Sequence, residues 1–166
     1  MKPQVLIVMG SDSDLPVMEG AEEMLKKLQI PYEITVASAH RTPERAVKLA
    51  SQAEEKGIEA IIAGAGMAAH LAGVLAAHTI VPVIGVPINS SPLGGLDSLL
   101  STVQMPPGVP VAAMAIGKAG AKNAAILSAQ IIARKDPKIA KRLKALRKKL
   151  AEEVIVKSKR LKGSRR

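Results

Sequence analysis

Residues 4–43 read QVLIVMGSDSDLPVMEGAEEMLKKLQIPYEITVASAHRTP, and the order of patterns in this stretch decides the fold class. Residues 4–9 form a continuous apolar run closed by Gly10, as expected of a strand covered on both faces. Residues 15–28 then place Val17, Met18, Ala21, Met24, Leu25 and Leu28 at helical spacing, with Glu19, Glu22 and Lys26 turned outward. Pro31 restarts the chain, residues 32–37 alternate as a strand, and Pro43 opens a second helix.

The same punctuation continues along the chain. The second helix is expected to run to about residue 56, where Gly57 stops it. A third strand is expected over 58–63, a third helix over 67–78 and a fourth strand over 81–86. A loop over 87–95, a short helix over 96–102, a fifth strand over 109–116 and an Ala-rich helix over 120–134 follow. Pro137 starts a last, basic helix reaching about residue 159. Five strand–helix alternations predict an α/β fold with right-handed crossovers. The length suits a flavodoxin-like three-layer sandwich with a five-stranded parallel sheet in the order 2-1-3-4-5 and a long C-terminal helix. Residues 1–166 read as a single domain, with a core over 1–134 and a C-terminal basic helix and tail over 135–166.

Composition narrows the function. Of 166 residues 48% are hydrophobic, enough for one full core, yet Tyr32 is the sole aromatic residue. A base-stacking nucleic-acid platform, which needs aromatic side chains, is thereby disfavoured. The absence of cysteine removes disulfides, a thiolate nucleophile and Cys-ligated zinc, and fits a reducing cytoplasm. The net charge of +10 is not spread evenly: residues 134–166 hold 15 Lys/Arg against 3 Asp/Glu, leaving residues 1–133 slightly acidic. Such a run reads first as a solvated helix face, and an acidic partner or RNA is the alternative. The N-terminal run has neither a basic leader nor a cleavage site. Residues 60–96 carry no formal charge, but six glycines and three prolines break them into several elements, so they read as buried core rather than as a membrane span.

In open α/β sheets ligands sit at the carboxyl ends of the strands, near the switch in strand order. Three polar loops occupy those positions: Gly10-Ser11-Asp12-Ser13-Asp14, Ser38-Ala39-His40-Arg41-Thr42 and Gly64-Ala65-Gly66-Met67-Ala68-Ala69-His70. With strand 1 between strands 2 and 3, they converge on one cleft. Ser11 and Ser13 precede a helix start that suits a phosphate, and Asp14 suits a sugar hydroxyl. Plain helix capping explains the same residues equally well. Arg41 offers a fork for phosphate and His40 a proton carrier with an unperturbed pKa near ~6.5. Gly64 to Ala69 matches the dinucleotide pattern G-x-G-x-x-G/A, but no Asp or Glu occurs between Glu59 and Asp97, so these glycines read instead as a close backbone approach to a flat ligand. His70 and His78 have no carboxylate near them in sequence, which argues against a metal, and His78 reads as a C-terminal helix residue. Gly117-Lys118 lacks the rest of a phosphate-binding Walker loop.

Taken together, GSDSD, SAHRTP and AGAGMAAHLAG, followed by VPVIGVPI, DSLLSTVQMPPGVPV and AIGKAGAKNAA, resemble the N5-carboxyaminoimidazole ribonucleotide mutase family of purine biosynthesis over residues 4–134. The resemblance implies an isomerase that moves a carboxyl group from the exocyclic N5 to ring carbon C4 by decarboxylation and recarboxylation, with no cofactor and no metal. It implies His40 as general acid–base, Ser11, Ser13 and Arg41 on the 5′-phosphate, and Asp14 on ribose hydroxyls. Ser38 and Ala39 fall beside them, and Gly64, Ala65, Gly66, Ala69 and His70 border the CO2 and imidazole pocket. Asn89 and Ser90 supply a further wall. It also implies a homo-octamer with sites shared between subunits. The related animal-type carboxylases typically carry Lys after the histidine, so Arg41 favours the mutase. The chain departs from the family pattern at Met67, where Gly is usual, and at Ala72, where Pro is common. Two other readings stand beside this one: direct carboxylation of aminoimidazole ribonucleotide or a related ring by CO2, and non-enzymatic binding of a phosphorylated ligand or RNA.

Overall fold

The computed structural model describes residues 2–163, so Met1 and residues 164–166, the end of the basic tail, lie outside the described residues. Five parallel strands form one sheet in the order β2-β1-β3-β4-β5, as the pattern predicts. They are β1 (Val5–Met9), β2 (Tyr32–Val36), β3 (Ala60–Gly66), β4 (Val83–Ile88) and β5 (Ala112–Ala113). The helices between them are α1 (Leu15–Leu28), α2 (Pro43–Ser51), α3 (Leu71–Ala76), α4 (Leu96–Val103) and α5 (Lys118–Ala133), followed by α6 (Pro137–Gly163).

The apolar runs become interior strands because both faces of the sheet are covered. Val5, Ile7 and Met9 point into a core with α1, α5 and the first half of α6. Leu6 and Val8 point the other way, to Ala46 and Ala50 of α2 and Leu71 and Leu75 of α3. With no large aromatic residue, volume is filled by close approach of small ones: Ala121, Ala124, Ala125 and Ala129 of α5 are fully buried, and Gly20 lets α1 pass against Lys118. Leu25, Leu28 and Ile132 supply the bulk at this α1–α5 seam. β2, at an edge, is only partly buried, which is why its sequence alternates while that of β1 does not.

Several element ends differ from the expectation. β5 has two residues rather than eight: Pro110, inside the expected run, supplies no N–H, and only Ala112 and Ala113 pair with β4. α2 ends at Ser51, with turns carrying the chain to Gly57. β3 runs on to Gly66 because Ala65 and Gly66 pair with Pro87 and Ile88 of β4, so α3 begins at Leu71 and not at 67. His78 therefore lies two residues beyond α3 and not within it, with its N–H donating to the Leu75 carbonyl. α6 is longer than the basic pattern suggests. Its first half is fixed by Ile139, Leu143 and Leu146 in the core and by Arg142 donating to the Leu28 carbonyl at 3.1 Å. No helix among the described residues is long and apolar enough to cross a membrane.

Candidate active site

The carboxyl ends of β1, β2 and β3 lie side by side, and the loops leaving them enclose a cleft of about 590 Å3. That is within the usual range for a small-molecule site, ~300–1,000 Å3. Each loop is set by its own local bonds. After β1, Ser11 caps a 3-10 turn (Asp12–Asp14) that leads into α1. Ser11 N–H donates to Asp14 Oδ2 at 3.0 Å, and Ser13 Oγ donates to Ser11 Oγ at 2.9 Å. Capping and a phosphate cradle are thus not exclusive: Asp14 spends one oxygen on the cap while the two serine hydroxyls stay at the cleft surface. Asp14 is 5% exposed, and burial pushes its carboxyl above the usual aspartate range, against the N–H groups of Ser11 and Gly10 and the nearby Arg41 charge.

After β2 the chain folds around Ser38. The Ser38 N–H donates to Thr42 Oγ1 at 2.9 Å, and Ser38 Oγ accepts from the N–H of Arg41 at 3.2 Å. This turn presents His40 and Arg41 to the cleft. Arg41 Nη2 donates to the Gly10 carbonyl at 3.2 Å, tying the second loop to the first. At the end of β3, Gly66 passes under Ser90, where any Cβ would overlap the Ser90 hydroxyl. Met67 follows in the left-handed region at φ 54°, 60% exposed at the rim. Glycine takes that conformation without cost, which gives a physical reason for glycine to be usual there. The chain then delivers His70, whose Nδ1 lies 2.8 Å from His40 Nε2.

The cleft is lined by Ser11, Ser13, Asp14, Ser38, Ala39, His40, Arg41, Ala65, Gly66, His70 and Ser90, so most of the residues singled out from the sequence meet. Three do not face it. Gly64 lies beneath the floor against Met18, Ala69 is buried, and Asn89 turns toward Gly95 and Gly117. Gly10, Met67, Ala68 and Leu71 complete the lining without having been selected as site residues. The signal for Gly10 was its place at the end of β1, where its carbonyl can meet Arg41. Among the described residues no cluster of His, Asp or Glu is placed to hold a metal. The lining thus combines hydroxyl and guanidinium groups from the first two loops, the small residues Ala65, Gly66 and Ala68 from the third, and two imidazoles in contact.

The sequence profile of AIR carboxylase matches residues 4–153. The chain belongs to the AIR carboxylase family. Within that family it is 58% identical over 160 residues to the N5-carboxyaminoimidazole ribonucleotide mutase of Pyrococcus horikoshii, covering 96% of this chain and 89% of the relative. It is 57% identical to the mutase of Thermotoga maritima (96% of this chain, 92% of the relative) and 53% identical to that of Escherichia coli K12 (92% and 90%). Its fold is similar to the crystal structure of Treponema denticola PurE, with a TM-score of 0.86 at 32% identity, covering 96% of this chain and 99% of that one.

Proposed function

We propose that this AIR carboxylase family member is an N5-carboxyaminoimidazole ribonucleotide mutase, an isomerase of purine biosynthesis, and that His40 is its proton carrier. The reading rests on relatives of that name at 53–58% identity over nearly the whole chain. For the mechanism, one observation carries most of the weight: the exposed His40 lines one cleft together with Arg41, Ser11 and Ser13 and with the small residues Ala65, Gly66 and Ala68.

Ser11, Ser13 and Arg41 bind the 5′-phosphate, where the guanidinium adds charge-assisted bonds to those of the hydroxyls. Asp14 accepts from ribose hydroxyls with the oxygen its cap leaves over. In the first half-reaction the N5–carboxyl bond breaks, CO2 separates, and N5 takes a proton from His40. In the second, C4 attacks CO2 to form the carbon–carbon bond, and the proton on C4 returns to His40. The proton is given and then recovered, so one group serves as acid and then base. CO2 must stay beside the ring between the two halves, and the small residues Ala65, Gly66 and Ala68, with Met67 at the rim, offer it apolar surface in the cleft.

The reading includes a homo-octamer with sites shared between subunits, in the cytoplasm. Leu96, Leu100 and Val103 stand exposed along one face of α4, and Leu150 and Val154 along the outer part of α6, as surfaces meant for another chain do. The deciding experiment is an ultraviolet assay with freshly prepared N5-carboxyaminoimidazole ribonucleotide, without ATP, metal or added bicarbonate. Formation of the C4-carboxylated product faster than spontaneous decay is the expected result. Product formed only from aminoimidazole ribonucleotide with bicarbonate transfers the protein to the direct carboxylases. Silence with both substrates removes the substrate assignment.

A further inference from the structure

Two titratable side chains from different loops touch in the cleft: His40 Nε2 lies 2.8 Å from His70 Nδ1, with the rings inclined at 75°. A hydrogen bond between two ring nitrogens needs one proton between them. Either His40 donates from Nε2 to a bare Nδ1 of His70, or His70 donates from Nδ1 to a bare Nε2 of His40. The proton-carrying role separates the two. The acid form of His40 has N–H on both nitrogens, so its Nε2 donates and Nδ1 of His70 must be bare. If the reacting proton leaves from His40 Nδ1, the base form keeps its Nε2–H and the same bond. A single His70 tautomer then serves both halves of the reaction. In the other arrangement each proton transfer breaks the contact between the rings. Among the described residues Nδ1 of His40 has no hydrogen-bond partner, so it is the nitrogen available to a ligand.

We propose that His70 is a positioning residue: its bare Nδ1 accepts the Nε2–H of His40, fixes the tautomer of the carrier and leaves His40 Nδ1 to exchange the proton with substrate. The backbone holds His70 for this task, its N–H donating to the Ala68 carbonyl at 2.8 Å and its carbonyl accepting from Val74 at 3.0 Å. The charged groups that share the cleft do not compete for the pair, because Asp14 is held by Ser11 and Arg41 by Gly10. The kinetic consequence rests on the mutase reading; the tautomer is a property of the free protein.

The test uses the full chain. Nitrogen-15 NMR of the ligand-free protein should show neutral His40 protonated on Nε2, and His70→Ala should give a mixture of tautomers. Neutral wild-type His40 protonated on Nδ1 overturns the proposal. His70→Ala should lower kcat by about 10- to 100-fold, a part of the ~10²–10⁴ that general acid–base catalysis contributes. KM should stay within about twofold, since His70 acts on the proton carrier and not through a bond to substrate. His70→Asn sets an amide oxygen where Nδ1 was and should recover most of the rate, whereas the longer amide of His70→Gln should not. Equal losses in the Asn and Ala variants mark a packing role and overturn the proposal. If the wild-type protein has no mutase activity the functional reading fails, and the NMR result still decides the tautomer.

Discussion

The cleft and the outer half of α6 both leave side chains uncovered, and they do so in opposite ways. In the cleft most of the uncovered groups are polar, and three are held by bonds within or between the loops: Arg41 by the Gly10 carbonyl, Ser11 by Asp14, His40 by His70. Along outer α6 the uncovered groups include Leu150, 47% exposed, and Val154, 66% exposed, on the same face that buries Leu146 one turn earlier. The cleft gathers these polar groups from three loops of one chain. The helix carries an apolar stripe past the end of its own core, the surface proposed to meet another subunit. Exposure therefore has two physical meanings here: preorganised polar groups for a small ligand, and unspent apolar area for a macromolecular contact.

The sharpest separation between the two regions should come from His40→Asn. Removing the proton carrier is expected to lower turnover by about 10²–10⁴. Because His40 is exposed and outside both core clusters, the unfolding free energy should move by less than about 0.5 kcal/mol. Paired kinetic and denaturant measurements check this. Near-normal turnover removes His40 from its assigned role, and a large loss of stability shows that the cleft is part of the structural core after all.

The converse change is Leu150→Lys with Val154→Lys. Within a single chain these positions touch little, so secondary structure and the stability of the core should be conserved to within about 0.5 kcal/mol. The homo-oligomer, in contrast, should dissociate, because two charges enter the apolar stripe proposed to meet another subunit. Sedimentation velocity beside far-ultraviolet circular dichroism separates the outcomes. An unchanged assembly would show that the stripe lies outside the subunit contacts.

The same contrast explains what could be read in the sequence. The three site loops were legible because each follows an apolar strand directly, and a parallel sheet brings such strand ends together by its topology alone. β5 was legible in its place but not in its extent, because an edge strand with two paired residues leaves almost no pattern, while the apolar run around it is interrupted by proline. The start of α3 was misplaced because Gly64-Ala65-Gly66 resembles a helix-opening loop, whereas pairing with Pro87 and Ile88 keeps it in the sheet. The contact of His40 with His70 joins residues 30 apart and depends on ring orientation, which no spacing rule encodes. Asn89 follows the buried β4 and so looked like a wall residue, but its direction is set by the turns at Gly95 and Gly117.

Asp14 supplies the smallest predicted effect and the most direct link between the site and stability. Burial holds its carboxyl above the ordinary aspartate value of 3.8, so the folded chain keeps this proton to a higher pH than the unfolded chain does. Stability from this group is accordingly complete below the unfolded value and is lost as pH rises through the raised folded one. Asp14→Asn cannot ionise, and its amide oxygen can still accept from the Ser11 N–H, so the cap is kept while the buried charge is removed. The unfolding free energy of the variant relative to wild type should therefore increase as pH rises from about 3 to neutrality and then level off. A pH series of denaturant unfolding curves measures that difference, and a flat or falling one would show that Asp14 ionises without penalty. If the rise is found together with weaker substrate binding, the protein is retaining a carboxylate that destabilises its empty fold because ribose hydroxyls can satisfy it, as expected where function and stability compete at one residue.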